Sequence, residues 1–121
     1  MKIAIIGAGN MGGAIAAGLG TTLEALTQKT TLLPSVSVKS PKKSIGSNTV
    51  ECMQSGLVYG TAAMLDGLIG RIRRETGEEK VTVVATGGLA KIIIPFCREN
   101  VILDEDLLLK GLLCIYEKNK A

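Results

Sequence analysis

GAGNMGGAIAAGLG (residues 7–20) follows the apolar run IAII (residues 3–6) and can be cut in two ways. Cut at its left end it is G-x-G-x-x-G, with Gly7, Gly9 and Gly12 in a turn after a strand. In such a turn the first glycine makes the tight bend and the second lets backbone approach a pyrophosphate. The third lets helix and strand pack closely, and the helix N-terminus holds the pyrophosphate. Cut at its right end, the segment is GGAIAAGLG (residues 12–20), which belongs to another kind of chain. The remaining residues have to decide between the two.

KIAII (residues 2–6) reads as a buried parallel strand. A helix runs through TTLEALTQK (residues 21–29), Pro34 ends that segment, and SVSV (residues 35–38) alternates like a short strand. Residues 39–47 form a loop. Asn48 and Glu51 have capping-box spacing and open a helix to about Glu75, with Gly77 just past its end. Val50, Met53, Leu57, Met64, Leu65, Leu68 and Ile72 recur at helical spacing and predict its inner face. Gly56, Gly60, Gly67 and Gly70 cost roughly 1 kcal/mol each inside a helix. They predict close backbone packing against a sheet, a second helix or a second subunit. A helix of that length spans roughly 40 Å, which favours a partner subunit and predicts a homodimer through residues 48–75.

VTVVA (residues 81–85) is a second buried strand, followed by Thr86-Gly87-Gly88 and an apolar helical stretch that ends near Pro95. Asp104, Glu105 and Asp106 suit the start of a last amphipathic helix, LLLKGLLCIY (residues 107–116), with Lys118 and Lys120 at its end. Strands alternating with helices predict a single α/β domain over residues 1–121.

Composition narrows the function. With 46% hydrophobic residues, the chain can build a core. Its aromatic residues are Tyr59, Phe96 and Tyr116 alone, too few for the stacking platforms of single-stranded nucleic-acid binders. A net charge of +3 calls for no polyanion, so no nucleic-acid partner is expected. There is no histidine, which excludes His-based triads and His-ligated metals. Cys52, Cys97 and Cys114 are odd in number and widely spaced, so neither a disulfide framework nor a zinc site is expected. A reducing cytoplasm fits. No apolar run reaches transmembrane length, and Gly7, Gly9 and Asn10 break up the only stretch that mimics a signal peptide.

Two motifs carry chemistry. Gly7, Gly9, Asn10, Met11 and Gly12 form the dinucleotide-type turn. If SVSV is the second strand of that unit, Lys39 and Ser40 follow it where an adenosine ribose lies. Basic and hydroxyl residues there suit a 2′-phosphate, which predicts NADP. The second motif is Thr86-Gly87-Gly88 at the end of VTVVA, where bare backbone lets a nucleotide approach.

From about Gly12 to Asn119 the chain resembles the C-terminal half of type III pantothenate kinase. The stretches that carry the resemblance are GGAIAAGLGTTLEALTQKT, LPSV, IGSNTVECMQSGLVYG, VVATGGLA and LLLKGLLCIYEKN, in the family's order. The resemblance implies a partial actin-like, ribonuclease-H-like ATPase domain. It implies phosphorylation of pantothenate by ATP at the entry to coenzyme A synthesis, a homodimer, a divalent metal and a monovalent cation. Thr86, Gly87 and Gly88 would then be the adenosine-side turn. The family's D-x-G-N phosphate loop and its G-A-D-R segment with the catalytic aspartate are absent from the sequence, and Ala17 stands where the family usually has proline. No general base can be assigned, Asp66 and Asp104 read as structural, and the half-domain is expected to be inactive alone.

Residues 1–19, MKIAIIGAGNMGGAIAAGL, are similar to the start of pyrroline-5-carboxylate reductase. This second resemblance implies that Gly7, Gly9, Asn10, Met11 and Gly12 bind NADP in a Rossmann-like strand, turn and helix. Taken together, the two resemblances predict a junction, reductase-like over 1–19 and kinase-like over 20–121. A non-catalytic chimeric fragment that dimerises is the third expectation. Residues 11–20 would be helical in the reductase reading and extended in the kinase reading.

Overall fold

In the computed structural model, the structure describes the backbone of Lys2–Ile6 and residues 36–77 and 79–120. The order of elements is β1 (Lys2–Ile6), α1 (Thr49–Thr76), β2 (Val81–Ala85), α2 (Ala90–Ile93), a 3-10 turn (Ile94–Phe96), β3 (Val101–Leu103) and α3 (Leu107–Asn119). The three strands form one parallel sheet in the order β1-β2-β3. Parallel strands joined through helices are the α/β class expected from the alternating pattern. The predicted helix over 21–29 and the conformation of residues 11–20 lie outside the described residues.

Both ends of α1 are written in the sequence. The Asn48 side chain accepts from the Glu51 N–H at 2.9 Å. The Glu51 carboxylate in turn accepts from the Ser47 N–H at 2.7 Å. The first bond satisfies an N–H that the first helical turn leaves open, and the second ties Ser47, just before the cap, to that turn. The Ser47 N–H also holds the Glu51 carboxyl below its usual value. At the other end Gly77 takes the left-handed conformation, φ 67°, and donates to the Arg73 carbonyl. Glycine adopts that geometry without a Cβ penalty.

The buried side of α1 is Leu57, Val58, Thr61, Ala62, Leu65 and Ile69. Leu57, Ala62 and Leu65 pack with Ile93 of α2, while Ile69 packs with Val81 and Val83 of β2. So α1 runs opposite in direction to β2, its later turns over the strand's beginning. Along β2 the alternation is clean, with Val81, Val83 and Ala85 buried and Thr82 and Val84 half-buried. Edge-to-face contact of Tyr59 with Phe96, centroids 4.9 Å apart, joins the N-terminal half of α1 to the 3-10 turn.

Several expectations need correction. Val50, Met64, Leu68 and Ile72, assigned to the inner face, are 37–46% exposed. Among the described residues, α2 and β2 meet the stripe that holds Leu57, Ala62, Leu65 and Ile69, and a second apolar stripe is left outside. Gly56, Gly60 and Gly67 have no heavy atom within 4 Å of an added Cβ, and Gly70 only the tip of Arg74 at 4.0 Å. No sheet or helix of the described residues packs closely on them. SVSV does not form a strand where it is described: 36–38 run without regular structure. Val36 is buried, and the Ser37 carbonyl accepts from Gln54 Nε2 at 3.2 Å. The segment is thus held by α1, not by a strand. In α3, no residue is buried, and Leu108, Leu109, Leu112, Leu113, Ile115 and Tyr116 are all more than half exposed. Its predicted apolar face has no partner among the described residues. The short strand β3 was not expected, since Val101, Ile102 and Leu103 are too few to show a period. Among the described residues no helix is long and apolar enough to cross a membrane.

One loop contact is very close. An added Cβ on Gly46 would meet the Cys52 nitrogen at 2.5 Å and the Glu51 carbonyl carbon at 2.7 Å. Nearby, the Ser55 hydroxyl donates to the Ser44 carbonyl. The loop therefore lies flat on the first turns of α1, and only glycine fits at that point. Gly46→Ala should destabilise the chain by about 2 kcal/mol, in the range of overpacked sites, read as a lower urea midpoint. An unchanged midpoint would show that the loop does not hold this position.

Candidate functional site

In a parallel sheet, ligands gather beyond the carboxyl ends of the strands. Here that edge is the end of β2 at Ala85 and the end of β3 at Leu103, joined by the Asp104 N–H donating to the Ala85 carbonyl at 2.9 Å. Beyond Ala85 the chain turns through Thr86, Gly87 and Gly88 into α2. The turn closes when the Ala90 N–H donates to the Gly87 carbonyl at 3.2 Å. Gly87 has φ 103°, a region that L side chains avoid. Gly88 is exposed, and an added Cβ there would meet nothing within 4 Å. The turn therefore presents bare backbone, with no heavy atom of the described residues within 4 Å of a Cβ added at Gly88.

Ion pairs frame this edge. Lys91 of α2 pairs with Glu105. Lys110 donates to Asp104 Oδ2 at 2.7 Å, and Asp104 Oδ1 accepts from the Asp106 N–H at 3.1 Å. The Lys110 hydrogen bond holds the Asp104 carboxyl below its usual value, and Asp104 raises the Lys110 ammonium. Asp104 is thus engaged in closing the start of α3. Asp66 is engaged too: its carboxylate accepts from the N–H of Arg98 at 2.9 Å and of Glu99 at 3.1 Å. It fixes the segment leading to β3. Burial, with the Asp66 charge adding to it, pushes the Cys97 thiol up. Both aspartates thus hold neighbouring segments in place. Among the described residues no three His, Cys, Asp or Glu side chains come together as a metal-ligand set.

The loop over residues 39–47 forms a second feature. Lys39, Ser40, Lys42, Lys43, Ser47 and Gln54 line a cavity of about 360 Å³ beside the start of α1. Lys39 and Ser40 thus do share a cavity, but they do not follow a strand. Thr86, Gly87 and Gly88 do not line it. Gly7, Gly9, Asn10, Met11 and Gly12 lie outside the described residues. The close approach at Gly46 and the Asp66 clamp went unread in the sequence. The first had a signal, a glycine two residues before a helix cap; the second, spanning 32 residues to Arg98, had none.

Known proteins place this arrangement. A sequence model of type III pantothenate kinase matches residues 3–71, more than half of the chain. The chain is 50% identical over 105 residues to a protein of Acholeplasma laidlawii described as type III pantothenate kinase, covering 87% of this chain and 42% of that protein. A type III pantothenate kinase of Thermus thermophilus is 46% identical over 106 residues, covering 88% and 41%. One of Dehalococcoides mccartyi is 46% identical over 111 residues, covering 92% and 42%. The chain spans about two fifths of the length of these relatives. The family match starts at residue 3 and takes in Gly7, Gly9, Asn10, Met11 and Gly12, well before the boundary near Gly12 drawn from the sequence. The chain belongs to the type III pantothenate kinase family.

Proposed function

We propose that the chain supplies the nucleotide-side half of a pantothenate kinase, which transfers phosphate from ATP to pantothenate. The observation that carries this is the Thr86-Gly87-Gly88 turn at the carboxyl end of a central parallel strand, with open space in front of Gly88. The backbone of that turn would take the adenosine of ATP. The divalent metal would arrive with the ATP phosphates; the described carboxylates offer no set to hold it or the monovalent cation. Asp66 and Asp104 are committed to hydrogen bonds, so the general base would come from residues beyond those described, and the half-domain has no catalytic activity alone. A division into a 1–19 segment and a 20–121 body remains part of this proposal. So does cytoplasmic location, which suits the free thiols of Cys52, Cys97 and Cys114.

A second reading, NADP held at Gly7, Gly9, Asn10, Met11 and Gly12 with Lys39 and Ser40 on its 2′-phosphate, is favoured by the basic cavity alone. Thermal unfolding separates the two. Magnesium ATP should raise the melting temperature, since a ligand at a hundred times its Kd stabilises by about 2.7 kcal/mol. Gly88→Val should leave the unliganded melting temperature near its parent value, because the space is free, and remove the ATP shift. A shift with NADPH and none with ATP would favour the second reading. Phosphopantothenate formed by the chain with ATP would contradict inactivity.

Homodimerisation through α1 is part of the same proposal. Gly56, Gly60 and Gly67 expose bare backbone, and Met64, Leu68 and Ile72 lie exposed beside them. The four helical glycines, Gly70 included, are costly for a lone helix, and a second α1 would use them for close approach. Sedimentation equilibrium should give a dimer, and Leu68→Glu a monomer with unchanged helix content. A monomeric parent chain at tens of micromolar would overturn this.

A further inference from the structure

The loop over residues 39–47 carries Lys39, Lys42 and Lys43, and the sequence has no acidic residue between Glu24 and Glu51. Like charges repel, and a basic run left to itself spreads into solvent. Here the loop is pinned. The Gln54 side chain donates to the Ser37 carbonyl at 3.2 Å, and the Ser55 hydroxyl donates to the Ser44 carbonyl. The Glu51 carboxylate accepts from the Ser47 N–H at 2.7 Å. Glu51, Gln54 and Ser55 are three and four residues apart, on one face of α1. Gly46 lies against the backbone of Glu51 and Cys52, and Val36 is buried. The lysines therefore ride on a backbone ordered before any ligand arrives, which lowers the cost of binding one.

The three lysines border one cavity of about 360 Å³ together with Ser40, Ser47 and Glu51. Small-molecule sites have roughly 300–1,000 Å³. All three lysines are exposed, so their ammonium groups are open to a ligand. None of them is in an ion pair among the described residues. The carboxylate on the wall, Glu51, is taken up by the Ser47 N–H. Three ammonium groups against that one carboxylate leave two positive charges. The start of α1 adds the positive end of a 28-residue helix beside them. A phosphate dianion meets this balance, with oxygens to accept from the lysines and from the Ser40 and Ser47 hydroxyls. A carboxylate supplies one charge only.

We infer that this cavity is a binding site for a phosphate dianion, free or carried by a small molecule, held among Lys39, Lys42 and Lys43. Thr86, Gly87 and Gly88 do not line it, and it needs no dinucleotide turn, so it goes beyond both functional readings above.

The test is an NMR titration of the isotope-labelled 121-residue chain at constant ionic strength, with sodium phosphate, glycerol 3-phosphate and sodium acetate in separate arms. The amides of Ser40, Lys42 and Ser47 should move saturably with phosphate and glycerol 3-phosphate, and about tenfold more weakly with acetate. Tighter binding of glycerol 3-phosphate assigns a phosphorylated small molecule, and equal or weaker binding assigns the free ion; either supports the site. Lys39→Met and Lys42→Met should each weaken phosphate binding about threefold, and together about tenfold, as exposed charge pairs do. Gly88→Val should bind phosphate like the parent, so failure of the nucleotide reading leaves this site standing. Amides that both phosphates leave at their chloride positions would overturn the inference. So would acetate binding as tight as phosphate, a double lysine variant that binds like the parent, or loss of binding in Gly88→Val.

Discussion

The packing of one stripe of α1 on β2 and on α2 fixes the rest. Ile69 over Val81 and Val83, and Leu57, Ala62 and Leu65 over Ile93, bury the core of the described residues. Burial of side chains of this size contributes roughly 1.5–3 kcal/mol each. Because these contacts are strung from Leu57 to Ile69, they set the direction of α1 as well as its position. The start of the helix carries the loop over 39–47, which lies flat on it at Gly46. Its last turns bring Arg73 to the amino end of β2.

Parallel strands give the two edges of the sheet different chemistry. At the carboxyl edge β2 opens into Thr86, Gly87 and Gly88, with a positive φ and bare backbone, and the Asp104–Lys110 and Lys91–Glu105 pairs close the flanks. At the amino edge the shorter β3 leaves a notch beside Val81 and Thr82 that Arg73 and Asn100 wall. Asp66 acts at the amino edge. Its carboxylate anchors the backbone at Arg98 and Glu99, and Glu99 then orients Arg73.

What was legible in the sequence followed from local rules. Asn48, Glu51 and Gly77 bound α1 because capping needs only neighbours along the chain. VTVVA and KIAII were legible as strands because buried parallel strands are continuous apolar runs. What escaped needed partners distant in sequence. Helical spacing marked Met64 and Leu68 as apolar, but which of two apolar stripes is buried depends on where α2 and β2 pack, which lies far along the chain. SVSV alternates, but the Ser37 carbonyl is taken by Gln54 and no strand forms. The stretch over 7–20 shows the same limit in function: its glycines fit a dinucleotide turn, while the kinase family match runs through them from residue 3 to 71.

In the function proposed above, the carboxyl edge at Gly87 and Gly88 is the nucleotide edge of this kinase-family chain. Backbone amide hydrogen exchange with and without magnesium ATP tests it most directly. Slower exchange at Gly87, Gly88 and Leu89, with Val81 and Thr82 unchanged, is the predicted result. Protection confined to residues 7–12 or 39–47, with the Gly87 and Gly88 amides unaffected, would contradict it.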